Sequence, residues 1–147
     1  MTTAEKTVIT VSAHMNVPVE LAWQLWNSPE HITKWNQASA DWHTPKAEND
    51  LKPGGRFTSR MEAKDGSMGF DFGGTYNTIR PNEYLAYTMD DDRKVTVSFK
   101  QKNNGTEVIE TFEAEDTHSP EMQQAGWQAI LNSFAAYAEK IAASPLQ

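Results

Sequence analysis

Apolar and polar or small residues alternate from Thr7 to His14 (TVITVSAH), the period-2 pattern of a half-buried strand. Beyond it the period changes. Asn16 is placed to cap a helix with Pro18 and Glu20 in its first turn, and Leu21, Ala22, Leu25 and Trp26 recur at three and four, predicting a short amphipathic helix to Asn27. Ser28-Pro29-Glu30 repeats the start signal and opens a second short helix carrying Ile32 and Trp35. Together they form a V-shaped unit.

From Asp41 to Ala114 short alternating segments are divided by turn residues: Pro53-Gly54-Gly55, Asp65-Gly66, Pro81-Asn82, Asp90 to Asp92 and Asn103-Asn104-Gly105. Strands are expected at Arg56 to Ala63, Phe70 to Arg80, Tyr84 to Met89, Lys94 to Lys100 and Thr106 to Ala114. Connections this short make them consecutive antiparallel hairpins, a meander. Ser119 and Pro120 then start a last helix running to about Ala143, roughly 35 Å at 1.5 Å per residue. Its stripe of Trp127, Ile130, Phe134, Tyr137 and Ile141 steps by three and four, with Leu131 and Ala138 widening it. Such a helix must lie on something apolar, and the concave face of the meander is the partner long enough. The expected class is α+β, a helix-grip fold, as one domain with an ordered core of about residues 7–143.

Composition narrows the function. With 13 basic against 20 acidic side chains the net charge is −7, which repels nucleic-acid phosphate and anionic membrane and leaves basic ligands allowed. No cysteine is present, so disulfides, thiolate metal sites and a thiol nucleophile are excluded. No apolar run approaches the ~20 residues of a membrane span, and Met1 to Lys6 lack the pattern of a signal peptide, so a cytoplasmic protein without membrane insertion is expected. Asn104-Gly105-Thr106 matches a glycosylation sequon and reads as a turn.

The order Ser28-Pro29-Glu30-His31 to Trp35, Pro53-Gly54-Gly55-Arg56-Phe57, Asp65-Gly66, Gly74-Thr75-Tyr76 leading to Pro81, and Gly126-Trp127 resembles the START-like (SRPBCC) superfamily. More narrowly it is similar to the branch named after the activator of the ninety-kilodalton heat-shock protein ATPase. The resemblance spans about Val8 to Ile141. It implies a curved sheet closed by the long helix over an apolar cavity. It also suggests a chaperone as protein partner, and a role in stress response. The superfamily includes lipid carriers, hormone receptors and polyketide cyclases, so fold alone does not fix function. One departure is Asn36, where members often carry a second tryptophan after the one at Trp35; it predicts a more polar cavity mouth.

Chemistry is sparse. His14, His31, His43 and His118 show no metal-ligand spacing, so no metal and no cofactor is expected; His31 reads as a surface residue near a helix C-terminus. Pro53-Gly54-Gly55 lacks the Gly-Lys-Ser/Thr that cradles phosphate. Ser59, Ser67, Ser98 and Ser133 read as ordinary solvent or sheet positions. Glu110 differs. Strand parity puts it on one face with Val108, Phe112 and Ala114, opposite Glu107, Ile109, Thr111 and Glu113; the first face has three apolar members and the second two acids and a threonine, so its carboxyl is expected to point inward. Burial raises its pKa unless a donor such as Arg56, Arg60, Tyr76 or Tyr87 pairs with it. Three readings stay open at this point: a polar anchor or general base for a ligand, an internal ion pair, and a strand whose inward face is the opposite one.

Tyr76 and Tyr87 share inward faces with Phe72 and Met89, and each supplies a ring and a hydroxyl. Trp35 and Trp42 flank a loop at the expected mouth and read as its gate. Met61, Met68, Met89 and Met122 supply soft walls. The expected ligand-contacting residues are Trp35, Trp42, Phe57, Met61, Phe72, Tyr76, Tyr87, Met89, Val97, Phe99, Glu110, Phe112, Trp127 and Leu131. The expected function is enclosure of a hydrophobic or aromatic small molecule, with no chemistry of its own, by a monomer or weak dimer. The alternatives are a cyclase- or hydratase-like enzyme using Glu110, and a protein that assists a chaperone through its surface.

Overall fold

The structure, a computed structural model, describes residues 7–143. The reading of Met1 to Lys6 as lacking a signal falls outside them. The elements run β1 (Val8–Met15), α1 (Val19–Asn27), α2 (Pro29–Trp35), β2 (Trp42–Asn49), β3 (Arg56–Ala63), β4 (Gly69–Arg80), β5 (Tyr84–Met89), β6 (Lys94–Lys102), β7 (Gly105–Glu113) and α3 (Pro120–Ala143). All seven strands form one antiparallel sheet ordered β1-β7-β6-β5-β4-β3-β2. Only β1 departs from sequence order, crossing α1 and α2 to pair with the last strand. The result is the helix-grip fold, with α3 on the concave face.

The strand not expected from the sequence is β2. Its text, WHTPKAEN, has no alternation and contains Pro45, and a register shift falls between His43 and Lys46. Proline is tolerated here because β2 is an edge strand with one side unpaired, and a bulge absorbs the missing N–H. The opposite edge, β1, is covered from above. Gln128 of α3 donates to the Ser12 carbonyl at 2.9 Å, and Gln124 reaches that of Thr10 at 3.5 Å. Carbonyls that would otherwise invite another chain are thereby occupied.

Helix starts are less regular than their signals. Asn16 does not cap α1; its backbone N–H goes to Glu139 Oε2 at 2.9 Å, and Pro18 occupies the cap position. Ser28 precedes α2 without a side-chain cap, its hydroxyl instead closing α1 by donating to the Gln24 carbonyl at 2.7 Å. Ser119 does cap α3, accepting the Met122 N–H at 3.2 Å. The β6–β7 hairpin turns on Asn103 and Asn104, with φ of 52° and 64°, between the paired Lys102 and Gly105, which is type I′ geometry.

The core is aromatic where the helices meet. Trp26 stacks on Trp35 at 4.9 Å, and Phe134 of α3 meets both rings edge-on at 5.0 and 4.9 Å. Trp23 joins through Phe99 of β6 at 5.2 Å. Such pairs contribute about 0.5–1.5 kcal/mol each beyond burial, so this knot fixes α1, α2 and α3 as one unit. His31 belongs to the same junction, with Nδ1 2.6 Å from the Tyr137 hydroxyl. It lies in the first turn of α2 rather than near its C-terminus, so the dipole argument for a surface position fails.

Candidate functional site

Register across the sheet builds the site. Because side chains project to alternate faces, cross-strand partners on the concave side line up in rows. One row is Tyr76, Tyr87, Val95, Phe112 and Ile9; the next is Ile79, Leu85, Val97, Glu110 and Val11. Glu110 is therefore the one carboxyl in an aliphatic row, between Val97 and Val11, and is 5% exposed.

Between these rows and α3 lies a cavity of about 370 Å³. Its walls include Phe57, Phe72, Tyr76, Leu85, Tyr87 and Met89 from the sheet, and Gly126, Trp127 and Ile130 from α3. Trp26, Ile32, Trp35 and Asn36 of the α1–α2 unit line another part. The rings interlock: Phe57 meets Tyr87 edge-on at 4.7 Å and Tyr76 at 5.2 Å, while Phe72 meets Trp127 at 6.1 Å. The turn at Pro53-Gly54-Gly55 is local scaffolding. The Gly54 N–H donates to the Tyr76 carbonyl at 2.8 Å, and the Tyr76 N–H donates to the Gly55 carbonyl at 2.9 Å. A Cβ at Gly55 would overlap the Asp50 carbonyl, so no larger residue fits this clamp.

Polar groups in the cavity divide into paired and unpaired. The Tyr76 hydroxyl donates to Asn49 Oδ1 at 2.8 Å, and Asn49 Nδ2 donates to the Asn27 carbonyl at 2.7 Å. Arg93 Nε holds Asp91 Oδ2 at 2.8 Å, and its Nη1 reaches the Glu113 carbonyl at 3.3 Å. His118 Nδ1 sits 3.1 Å from Glu115 Oε2. Gln123 ties the loop before α3 by donating to the carbonyls of Glu115 and His118. Glu110 has no hydrogen-bond or ion-pair partner among the described residues. Arg56 is engaged with Asp90 and Thr75, and Arg60 with Glu62 and Asp71. Burial alone pushes the Glu110 carboxyl up to about 8. Burial likewise raises the Tyr87 hydroxyl, with Glu110 adding to the effect.

Of the expected residues, Trp35, Phe57, Met61, Phe72, Tyr76, Tyr87, Met89, Glu110 and Trp127 line the cavity. Val97, Phe99, Phe112 and Leu131 do not; they are packed behind the walls, at most 3% exposed, because α1 and α3 cover those parts of the concave face. Trp42 is outside, against Phe70 at 6.0 Å on the β2 edge. Trp35 is no gate either: it is 5% exposed and its Nε1 donates to the Leu25 carbonyl at 2.9 Å. Met68 is 65% exposed at the β3–β4 hairpin, whereas Met122 reaches the cavity. Ser59 is a buried lining residue, not an ordinary sheet position. Sequence reasoning missed Arg93, Glu115, His118 and Gln123, which come from a turn, a loop and a helix start brought together only by the fold. Among the described residues no three His, Asp or Glu side chains gather as a metal site, and no helix is long and apolar enough to cross a membrane.

A curved antiparallel sheet gripping a long C-terminal helix over a lined cavity defines a START-like protein. The family model described as Activator of Hsp90 ATPase homolog 1-like protein matches residues 16–139, and the chain belongs to that family. Among solved structures it is similar to an AHSA1-like protein of Aeromonas hydrophila, with 45% identity over 96% of this chain and 98% of that one and a TM-score of 0.87. A Cytophaga hutchinsonii protein is 48% identical over 93% and 94%, with a TM-score of 0.76. A Chromobacterium violaceum protein is 25% identical over 90% and 96%, with a TM-score of 0.81. No curated protein sequence matches.

Proposed function

We propose that this protein binds a small hydrophobic or aromatic molecule in the cavity between the sheet and α3. The observation that carries the reading is the wall itself: interlocked rings of Phe57, Phe72, Tyr76, Tyr87 and Trp127 line a cavity of about 370 Å³, with polar side chains such as Asn49, Arg93, Glu110 and His118 among them. That volume is at the small end of the roughly 300–1,000 Å³ typical of small-molecule pockets, and an aromatic wall with polar groups placed in it is what such pockets use. It suits a molecule of one or two rings better than a two-chain lipid.

The test is an amide NMR titration of the labelled protein with a panel of flavonoids, fatty acids and small polyketides. Binding at the cavity moves the resonances of Phe72 to Tyr76, Tyr87 and Gly126 to Ile130 together and to saturation. Shifts scattered over the outer face, or none with any compound, would remove the reading. A bound compound that is turned over by the wild-type protein but not by Glu110→Gln would make the protein an enzyme rather than a carrier.

A further inference from the structure

We propose that the occupant of the cavity is a hydrophobic amine, whose cationic nitrogen seats between the Glu110 carboxylate and the Tyr87 hydroxyl. The proposal rests on the cavity reading above and names the chemistry of what enters.

It starts from two polar groups that the fold buries and leaves unused. Glu110 is 5% exposed and Tyr87 is 6% exposed; both line the cavity, and neither makes a side-chain hydrogen bond among the described residues. A molecule in that cavity can therefore supply the hydrogen bonds that the fold does not. In the register the two residues occupy adjacent rows on the same face, one from β5 and one from β7, across β6. A carboxylate and a hydroxyl oxygen can both accept, so together they suit a ligand that brings several N–H donors.

The charges around them point the same way. The neighbours of Glu110 along its row, Val97 of β6 and Val11 of β1, carry no charge, and α3 contributes the uncharged Trp127 and Ile130 to the same cavity wall. Arg93 lines the cavity and its charge acts on the Tyr87 hydroxyl, but the guanidinium itself is hydrogen-bonded to Asp91 and the Glu113 carbonyl. His118 is held by Glu115, and the remaining lining carboxylate, Glu48, faces Lys46 at 3.1 Å on the surface. Glu48 and Glu115 thus have partners of their own, and Glu110 is the lining carboxyl left without one among the described residues, an arrangement that favours a cation and disfavours a carboxylate ligand beside it. An ammonium supplies the charge-assisted hydrogen bond that the protein does not provide for Glu110 itself.

Proton linkage gives the proposal a signature. Burial raises the Glu110 carboxyl to about 8, so with no cation beside it the group stays protonated up to about that pH. Seating an ammonium on the carboxylate releases that proton, so amine affinity rises by at most about tenfold per pH unit toward pH 8 and levels off above it. A neutral carbonyl ligand would need the protonated acid as its donor, so its affinity would stay nearly level below pH 8 and fall only above it.

Three probes of one shape test this: naphthylmethylamine, naphthylmethanol and acetylnaphthalene, titrated by amide NMR at pH 6, 7 and 8. Support is an amine that binds at least about tenfold tighter than the alcohol at pH 8, worth about 1.4 kcal/mol, and that tightens as pH rises. In Glu110→Gln the advantage and the pH trend both vanish while the alcohol still binds. If the alcohol or ketone binds as tightly as the amine, the amine assignment is overturned and the cavity reading stands. If all three leave the cavity amides unmoved while members of the flavonoid, fatty-acid or polyketide panel shift them, the amine is likewise overturned alone; if that panel is silent too, both fall. The pH series on wild-type protein stands even if the variant does not fold.

Discussion

Trp127 of α3 lies flat on Phe112 of β7, with ring centroids 3.8 Å apart and planes 10° from parallel. The same indole meets Phe72 of β4 edge-on at 6.1 Å. One side chain thus touches strands that are three places apart in the sheet order, and the cavity opens beside it. Phe112 is fully buried and forms the floor under the indole, while Trp127 itself lines the cavity. The helix is held at its standoff from the sheet by this contact, so the size of the cavity depends on it.

Trp127→Ala is expected to destabilise the fold by about 3 kcal/mol, at the lower end of the range for removing a large aromatic because the residue is only half buried. Trp127→Phe, which keeps a ring on Phe112, should cost less than half of that. Urea unfolding of both variants checks the order. Equal losses would mean that the stack does not position α3.

The residues also show how far a sequence can be read toward a site. The alternation in β7 turns Glu110 inward on balance, because Val108 and Phe112 on its side outweigh Ile109 on the other, where Glu107 and Thr111 also stand. The polar groups Arg93, Glu115 and His118 leave no such trace, since they stand in the turn before β6 and in the loop before α3, where no local period applies, and the fold brings them to one cavity. Strand β2 was invisible for a related reason: at an edge, pairing on one side only is compatible with Pro45 and with a run lacking apolar alternation. Depth also escapes parity. Val97 and Glu110 are cross-strand partners on one face, yet only the longer side chain reaches the cavity.

Tyr76, Asn49 and Asn27 form a relay that joins β4 to β2 and to the end of α1. Tyr76→Phe removes the donor to Asn49 Oδ1 without changing the ring. The expected loss is about 1–2 kcal/mol, because a partly buried carbonyl oxygen is left without its donor. Thermal denaturation measures it, and Asn49→Ala in the Tyr76→Phe background should add less than it does in the wild type.

At the β6–β7 hairpin, Asn104 has φ of 64°, where asparagine is tolerated and most residues are strained. Asn104→Ala is expected to lower stability by about 1 kcal/mol, and Asn104→Gly to leave it nearly unchanged. Equal losses in the two variants would move the cause from the backbone to the asparagine side chain.

Glu110 gives the protein a pH dependence opposite to that of an ordinary surface carboxylate. In the unfolded chain the group titrates near its usual 4.5, whereas in the folded protein burial holds it at about 8. Between those values the folded state binds a proton that the unfolded state does not, so stability falls as pH rises. Below pH 4.5 both states are protonated and the residue costs nothing; above 8 the full cost is present. At pH 7 that cost is roughly 3 kcal/mol. Glu110→Gln keeps the shape and cannot ionise, so its stability should equal that of wild type near pH 4.5 and exceed it progressively up to pH 8. Urea unfolding of the two proteins across pH 4.5 to 8 measures the gap. A gap that stays constant would show that the carboxyl finds a partner in the folded protein, and the unpaired geometry on which its ligand role rests would be lost.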